Sequence, residues 1–266
     1  MTLRSIIQSF LPKEKKAALE IISKIWKKYP KYGTMDDPIY NEDGLISAHF
    51  CPFLFDERFQ SAYKSAIADN ALGNHPCKTQ FRTYIACWAA KQVKEIGGDF
   101  VECGVNLGIL SKTIVEYVDF QKQRNRTFFL FDTFCGIPES QLSSAEIKSG
   151  KTNKTFGYHD VFKIAKKRFS KYDNVKLIKG IVPDSLKAEK IKKVAYLSID
   201  MNNAKAEIEA GKFFWDKIVS GGIVLLDDYA YGPEFVEQRI KWDTFAQKQN
   251  IHILTLPTGQ GLIIKK

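Results

Sequence analysis

Short runs of β-branched and aromatic residues alternate with helical stretches from about Asp99 to the end of the chain. The strand-like runs are DFVECGV, TFFLFDT, NVKLIKG, KVAYLSID and GGIVLLDD. Helical stretches between successive strands indicate right-handed crossovers, so this rhythm predicts a doubly wound, mostly parallel α/β sheet. The runs IHILTLP and GLIIKK flank the turn TGQG and predict an antiparallel hairpin at one edge, which brings the sheet to seven strands.

The first 98 residues do not follow this rhythm and are helical and loop-rich in pattern. We expect residues 1–80 to form a helical N-terminal extension, as a lid or as a dimerisation element of a homo-oligomer, and residues 81–266 to form the main domain. The segment LRSIIQSFLPKEKKAALEIISKIWKKY has short apolar runs interrupted by Pro12 and by charges. That pattern excludes a transmembrane segment and argues against a signal peptide.

The composition and charge indicate a globular protein and exclude several other classes. Of the 266 residues, 44% are hydrophobic, which provides enough core for one large α/β domain. The net charge is +10, but the lysines are scattered and no dense basic tract is interleaved with aromatic residues, so we expect no dedicated nucleic-acid binding. The five cysteines are odd in number and form no CxxC pair, which predicts free thiols and a cytoplasmic location.

Acidic and small polar residues follow the predicted strands. The strand ends read ECGVNLG, DT, G, IDMNN and DDY. In an open parallel sheet, ligands bind at the carboxyl ends of the strands, so these residues are expected to share one site. The predicted cofactor-binding residues at these ends are Glu102, Gly104, Asn106, Gly108, Asp132, Thr133, Gly180 and Asp200.

The first of these ends is a turn of the form acid-x-Gly-x-x-x-Gly. Gly104 and Gly108 allow the backbone to approach a ligand closely, and Glu102 precedes them. A dinucleotide pyrophosphate would find few phosphate-binding glycines here, whereas a cationic nucleoside such as S-adenosylmethionine suits the nearby acid. Asp132, at the next strand end, can accept hydrogen bonds from ribose hydroxyls. The alternative is a tight strand-to-helix turn without a ligand, as in any α/β protein.

Three aspartates lie at the ends of the fourth and fifth strands. Asp200 ends one, and Asp227 and Asp228 end the other. Converging carboxylates repel unless a cation compensates them, and oxygen ligands favour Mg²⁺ or Mn²⁺, so this trio predicts a divalent-metal site. In the alternative, Asp227 or Asp228 caps the following helix or pairs with Arg239 or a lysine.

The sequence also singles out a polar insertion and two side chains away from the strand ends. Residues 134–157 form a polar insertion that predicts a mobile loop closing, with the N-terminal region, over the substrate. His159 follows this insertion and is either a candidate base at the site or an exposed residue. Arg82 is expected either to bind a substrate carboxylate or phosphate, or to pair with an acid of the protein.

Four stretches, GDFVECGVNLG, LFDTFCGIPE, YLSIDMNNAKAEIEAGKFFWDKIVSGGIVLLDDYAYG and LPTGQGLIIK, resemble the macrocin O-methyltransferase family of TylF/MycF type. The resemblance covers about residues 81–266. It implies a Rossmann-like class I methyltransferase that uses S-adenosylmethionine and a divalent metal to methylate sugar hydroxyls. Carried over by position, it implies that Glu102, Gly104, Gly108 and Asp132 bind the cofactor and that Asp200, Asp227 and Asp228 bind the metal.

The sequence departs from that family where a general base is expected. Members often have IDGD after the fourth strand, with the second Asp as base, whereas this chain has IDMN and so Asn202. An amide does not accept a proton at neutral pH, so the proton falls to the metal environment, Asp228 or His159. The acceptor is expected to be a small molecule or saccharide. The alternatives are a catechol-like phenol as acceptor, or a nicotinamide-dependent oxidoreductase on the same architecture.

Overall fold

The computed structural model describes residues 38–68 and 78–266. The helix predicted near the N-terminus lies outside these residues. The chain divides into two compact units, one ending at Pro52 and the other spanning Phe53–Lys266. In the first unit, β1 (Tyr40–Glu42) and β2 (Leu45–Ser47) pair as an antiparallel hairpin. The predicted division at residue 80 stays a prediction, because residues 69–77 are outside the described part.

The second unit alternates strands and helices as the sequence predicts. Its strands are β3 (Asp99–Cys103), β4 (Phe128–Asp132), β5 (Val175–Lys179), β6 (Val194–Ile199), β7 (Ile218–Leu226), β8 (Leu254–Thr255) and β9 (Gly261–Ile264). Its α-helices are α1 (Glu57–Ile67), α2 (Gln80–Gln92), α3 (Ile109–Tyr117), α4 (Ser144–Lys148), α5 (Asn153–Phe156), α6 (Phe162–Phe169), α7 (Ala204–Trp215) and α8 (Val236–Gln249). None of the helices in the described ranges is long and apolar enough to cross a membrane.

The seven strands form one sheet in the order β5-β4-β3-β6-β7-β9-β8. Neighbours from β5 to β7 are parallel, and β9 pairs antiparallel with both β7 and β8. This confirms the mostly parallel Rossmann-like sheet with an antiparallel edge hairpin. The chain moves outward from β3 in one direction to β5 and then returns to β6 on the other side. The strand order therefore reverses beside β3, where open α/β sheets bind their ligands.

The central strands are buried because helices cover both faces of the sheet. All six residues of β6 are buried, and so are the last four residues of β3. Phe100 packs against Phe120 and Tyr196, with ring centroids 5.0 and 5.3 Å apart. Strands buried on both faces read as continuous apolar runs, which is why the sequence located them well.

The insertion at residues 134–157, predicted as a mobile loop, contains regular secondary structure, and its mobility stays a prediction. It contains a 3-10 turn at Glu139–Gln141 and the two short helices α4 and α5. A capping box starts α4, with Ser143 and Glu146 each bonding the other's main-chain nitrogen. Glu146 and Lys151 are buried, so part of this polar segment is an internal structural element.

Candidate functional site

Two neighbouring clefts open at the carboxyl ends of β3, β4 and β6, with empty volumes of about 700 and 690 Å³. The first is lined by Gly104, Asn106, Asp132, Thr133, His159, Gly180, Asp200 and Asn202. The second is lined by Glu102, Gly104, Asn106, Gly108, Asp200 and Asp227, together with Arg82. The structure therefore brings together every predicted site residue except Asp228, which does not line either cleft.

The glycine turn after β3 is constrained by its packing against the end of β6. Gly104 has φ of +92°, and a Cβ there would overlap the main-chain carbonyl of Asp200 and lie 3.1 Å from the nitrogen of Met201. Gly108 is the left-handed N-cap of α3, with φ of +73°, and a Cβ there would strike the ring of Phe169. Contacts within the protein therefore already require both glycines, as the alternative of a tight strand-to-helix turn expects, whether or not a ligand approaches them.

Asp132 ties the glycine turn to the end of β4. Its Oδ2 accepts hydrogen bonds from the main-chain nitrogens of Val105, at 2.5 Å, and Asn106, at 2.8 Å. Its Oδ1 accepts from the nitrogen of Phe134. Because a carboxylate has about four acceptor positions, Asp132 retains some capacity for ribose hydroxyls while it holds the turn.

Glu102 is the buried acid at the back of the second cleft. Burial raises the pKa of Glu102 to about 8; the hydroxyl of Ser111 beside the carboxyl acts against this shift, and the nearby charges of Asp227 and Asp132 add to it. Its Oε2 is buried and has no hydrogen-bond partner among residues 38–68 and 78–266. A buried carboxyl oxygen without a partner is costly, so this atom is suited to receive a donor group from a ligand.

Arg82 of α2 neutralises the acidic end of β7. Its Nη2 donates to Oδ1 of Asp228 at 2.8 Å, to the main-chain oxygen of Asp227 at 2.9 Å, and also to Oδ2 of Asp227. Gln260 donates to the other carboxyl oxygen of Asp227 at 2.7 Å. The pairing alternative from the sequence is thus realised, but with Arg82; Arg239 instead lies 3.8 Å from Asp243.

The predicted metal trio does not have the arrangement of a metal site. Across the described ranges, no group of three or more His, Cys, Asp and Glu side chains is placed to hold a metal ion. Arg82 lies against Asp227 and Asp228 and supplies the positive charge that the sequence argument assigned to Mg²⁺ or Mn²⁺. The residues as arranged therefore do not fit the implied cation.

Burial and mutual repulsion act strongly on the remaining acids. Burial, together with the charges of Asp227 and Asp228, raises the pKa of Asp200 well above its usual value. Burial raises the pKa of Asp228 to about 6, although Arg82 acts in the opposite direction. Burial and mutual repulsion therefore favour the protonated forms of Asp200 and Asp228, and the single guanidinium of Arg82 does not cancel that effect.

Asn202 occupies the position where a carboxylate base was expected, and it orients its neighbours. Its side-chain nitrogen lies 3.1 Å from Oδ1 of Asp200 and 3.2 Å from the hydroxyl of Tyr158. Tyr158 lines the first cleft, and no sequence argument singled it out. His159 also lines this cleft but is exposed, with Nδ1 3.2 Å from the carbonyl of Gly157.

A buried polar cluster supports the turn from Asp200 to Ala204 from behind. Glu146 accepts a hydrogen bond from the nitrogen of Ala204 at 2.8 Å, and Lys151 donates to the carbonyl of Asn202 at 3.2 Å and to Gln238. Glu207 accepts from Gln238 at 2.6 Å and from Trp242 at 3.1 Å. One feature of the sequence points to this cluster, the S-x-x-E spacing of the capping box in the insertion.

Comparison with known proteins yields one family and a set of similar folds. The sequence profile of the TylF macrocin-O-methyltransferase family matches residues 57–255. The O-methyltransferase NovP superposes with a TM-score of 0.63 at 21% identity, over 79% of this chain and 88% of NovP. The calicheamicin methyltransferase CalS11 superposes with a TM-score of 0.54 at 16% identity, over 81% of this chain and 94% of CalS11.

A third structure covers more of the chain. The Podospora anserina methyltransferase PaMTH1, solved with S-adenosylhomocysteine bound, has a TM-score of 0.50 at 15% identity, over 97% of this chain and 98% of that one. At these identities the three superpositions establish the shared fold. No curated protein sequence matched the chain.

Proposed function

Because the chain belongs to the TylF macrocin-O-methyltransferase family, it is an S-adenosylmethionine-dependent O-methyltransferase, and we propose that its acceptor is a hydroxyl of a sugar or glycosylated small molecule. The observation that carries this proposal is the gathering of the predicted residues around two adjoining clefts with Asp200 common to both. Two clefts that share a carboxylate suit a reaction between two ligands. The methyltransferase names of NovP and CalS11 support the same chemistry.

We place the methyl donor along the glycine turn. The unpartnered oxygen of Glu102 suits the ammonium group of the donor's methionine part, and a bound cation would favour the ionised carboxylate. Asp132 suits the ribose, with Asn106 and Thr133 beside it in the first cleft. Gly180 directly follows β5 and lines the first cleft, where we place the adenine ring of the donor.

The acceptor would then lie near Asp200, Asn202, Tyr158 and His159. The hydroxyl oxygen attacks the sulfonium methyl carbon, the carbon–sulfur bond breaks, and the hydroxyl proton moves to a base. Asp200 is the base that we propose, because it borders both clefts and because a cationic donor bound beside it would favour the ionised carboxylate that accepts the proton. Asp228, the candidate from the sequence, has Oδ1 bound to Arg82, and Asn202 serves to hold Asp200 in position.

The test is transfer of a labelled methyl group to a panel of acceptors that includes sugar nucleotides, glycosylated small molecules and catechols. We expect label in a sugar ether, and Asp200→Asn should lower kcat at least about a hundredfold. The control is His159→Ala, which should stay within about threefold if the exposed imidazole is not the base. Label only in catechols would establish the phenol alternative, and a large loss in His159→Ala alone would transfer the role of base to His159.

Membership of the methyltransferase family replaces the nicotinamide-dependent oxidoreductase that the sequence left as an alternative. Homo-oligomerisation and a cytoplasmic location stay predictions. So does a divalent-metal requirement, which the family resemblance implies and the position of Arg82 against Asp227 and Asp228 opposes. EDTA treatment followed by Mg²⁺ or Mn²⁺ addition measures that requirement directly, since a metal-dependent enzyme would lose turnover and recover it.

A further inference from the structure

Arg82 is held among the acidic strand ends by more than a surface ion pair. It is 7% exposed and comes from α2, 145 residues before its partner Asp227. Its Nη2 reaches both Asp227 and Asp228, and the distance to the Asp228 carboxylate is 2.8 Å. A guanidinium stays charged at every accessible pH, so this positive charge leaves the site only if the side chain moves.

Both carboxyl oxygens of Asp227 accept hydrogen bonds from side chains. Oδ2 accepts from Arg82, and Oδ1 accepts from Nε2 of Gln260 at 2.7 Å. Thr258 donates to Oε1 of Gln260 at 2.9 Å, which orients the amide so that its NH₂ group faces the carboxylate. A metal ion at Asp227 would have to share oxygens that already accept hydrogen bonds from two side chains.

An aromatic ring holds the guanidinium in place. The Cζ of Arg82 lies 4.5 Å from the centroid of the Tyr231 ring, within the range of a cation–π contact. Tyr231 belongs to the loop that directly follows Asp227 and Asp228, so one short segment provides two carboxylates and a ring for the same cation. Two carboxylates and an aromatic face suit the planar guanidinium of an arginine, which hydrogen-bonds in its plane and stacks on a ring.

We propose that Arg82 is the resident cation of the acidic strand ends, so that a divalent metal ion entering this site competes with its guanidinium for Asp227 and Asp228. A dication brought close to a buried guanidinium is repelled by it, and that repulsion is strong where water is excluded. Metal binding therefore requires Arg82 to leave both carboxylates. Removing the Arg82 side chain would leave the carboxylates of Asp227 and Asp228 free to bind the metal ion. The proposal applies to the free enzyme, without methyl donor or acceptor.

The experiment is titration of the ligand-free protein with Mn²⁺, followed by the electron paramagnetic resonance signal of free Mn²⁺. We expect Arg82→Gln to bind Mn²⁺ at least about tenfold more tightly than the wild type. The matched control is Arg126→Gln, because Arg126 donates to the main-chain oxygen of Val93 and its acidic neighbours are Asp99 and Glu95, so its loss should leave the Mn²⁺ affinity unchanged. Equal or weaker binding by Arg82→Gln, or no binding by it, overturns the proposal.

A second variant covers failure of Arg82→Gln to fold. Arg82→Lys keeps the charge but loses the planar fork, so we expect a smaller rise in Mn²⁺ affinity, of about threefold, and no rise would overturn the proposal. Methyl transfer is measured separately on the wild type. If the wild type transfers methyl groups but the Arg82 variants bind Mn²⁺ no more tightly than it does, the proposal about Arg82 is rejected and the proposed function stands. If the Arg82 variants bind Mn²⁺ more tightly but the wild type transfers no methyl group, only the proposed function is rejected.

Discussion

Replacing Gly104 by alanine separates two costs that the structure assigns to this position. The first is the left-handed backbone, with φ of +92°, which costs a residue with a side chain about 1–3 kcal/mol. The second is overlap of the new Cβ with the carbonyl of Asp200, a main-chain group that cannot rotate away, and overpacking of this kind adds about 1–3 kcal/mol. We therefore expect Gly104→Ala to lose about 2–6 kcal/mol of unfolding free energy.

Gly150 provides the matched control. Its φ is +89°, and nothing lies within 4 Å of a Cβ built there, so Gly150→Ala incurs only the backbone cost. Each kcal/mol lowers the Tm of a domain of this size by about 2–4 °C. Thermal unfolding should therefore show a clearly larger fall in Tm for Gly104→Ala than for Gly150→Ala.

Calorimetry with S-adenosylmethionine extends the same test to the site. Gly104 borders both clefts, so displacement of its turn from the end of β6 should weaken donor binding at least about tenfold, or about 1.4 kcal/mol. Gly150→Ala should bind the donor as the wild type does. Equal losses of Tm in the two variants would refute the packing argument, and unchanged donor affinity in Gly104→Ala would refute the placement of the donor.

Three further predictions concern the buried polar groups. Because burial raises the pKa of Glu102 to about 8, the stability that Glu102 contributes is complete below its unfolded pKa of about 4.5 and is lost as pH rises through 8. Glu102→Gln should therefore flatten the pH dependence of the unfolding free energy in urea by about 1.4 kcal/mol per pH unit between pH 5 and 7.5. An unchanged slope would show that Glu102 is ionised in the folded protein. Lys151→Met should cost about 3 kcal/mol of unfolding free energy, whereas exposed Lys148→Met should cost less than about 0.5, and similar losses would contradict the buried cluster. The amides of residues 146–151 should exchange hydrogen slowly even without ligands, and rapid exchange there would confirm the prediction of a mobile loop.

The architecture was predictable because it depends on patterns that are local in the sequence. Apolar runs such as FFLF and VAYLSI identify strands buried on both faces, and the helices between them impose parallel crossovers. Once the sheet is parallel, the residues after each strand must share one edge. That reasoning brought Asp132, Asp200 and Asp227 to two adjoining clefts without any knowledge of side-chain contacts.

The charge partners were not predictable in the same way. Arg82 was expected either to bind a substrate anion or to pair with an acid of the protein, but Asp227 is 145 residues away and no spacing in the sequence identifies it as that acid. Lys151 looked like one more polar residue of a loop, although it is fully buried. Burial of a charge depends on how separate elements pack, and periodicity within one element carries no information about it.

The anchoring of the insertion bears on how acceptor specificity can be changed in this protein. Ser143 donates to Glu237 of α8, Glu146 bonds Ala204 of α7, and Lys151 reaches Gln238. Grafting residues 134–157 from a relative would leave an acid or an amide in the recipient without its partner unless α7 and α8 were exchanged as well. The transferable unit for engineering is therefore the insertion together with these two helices.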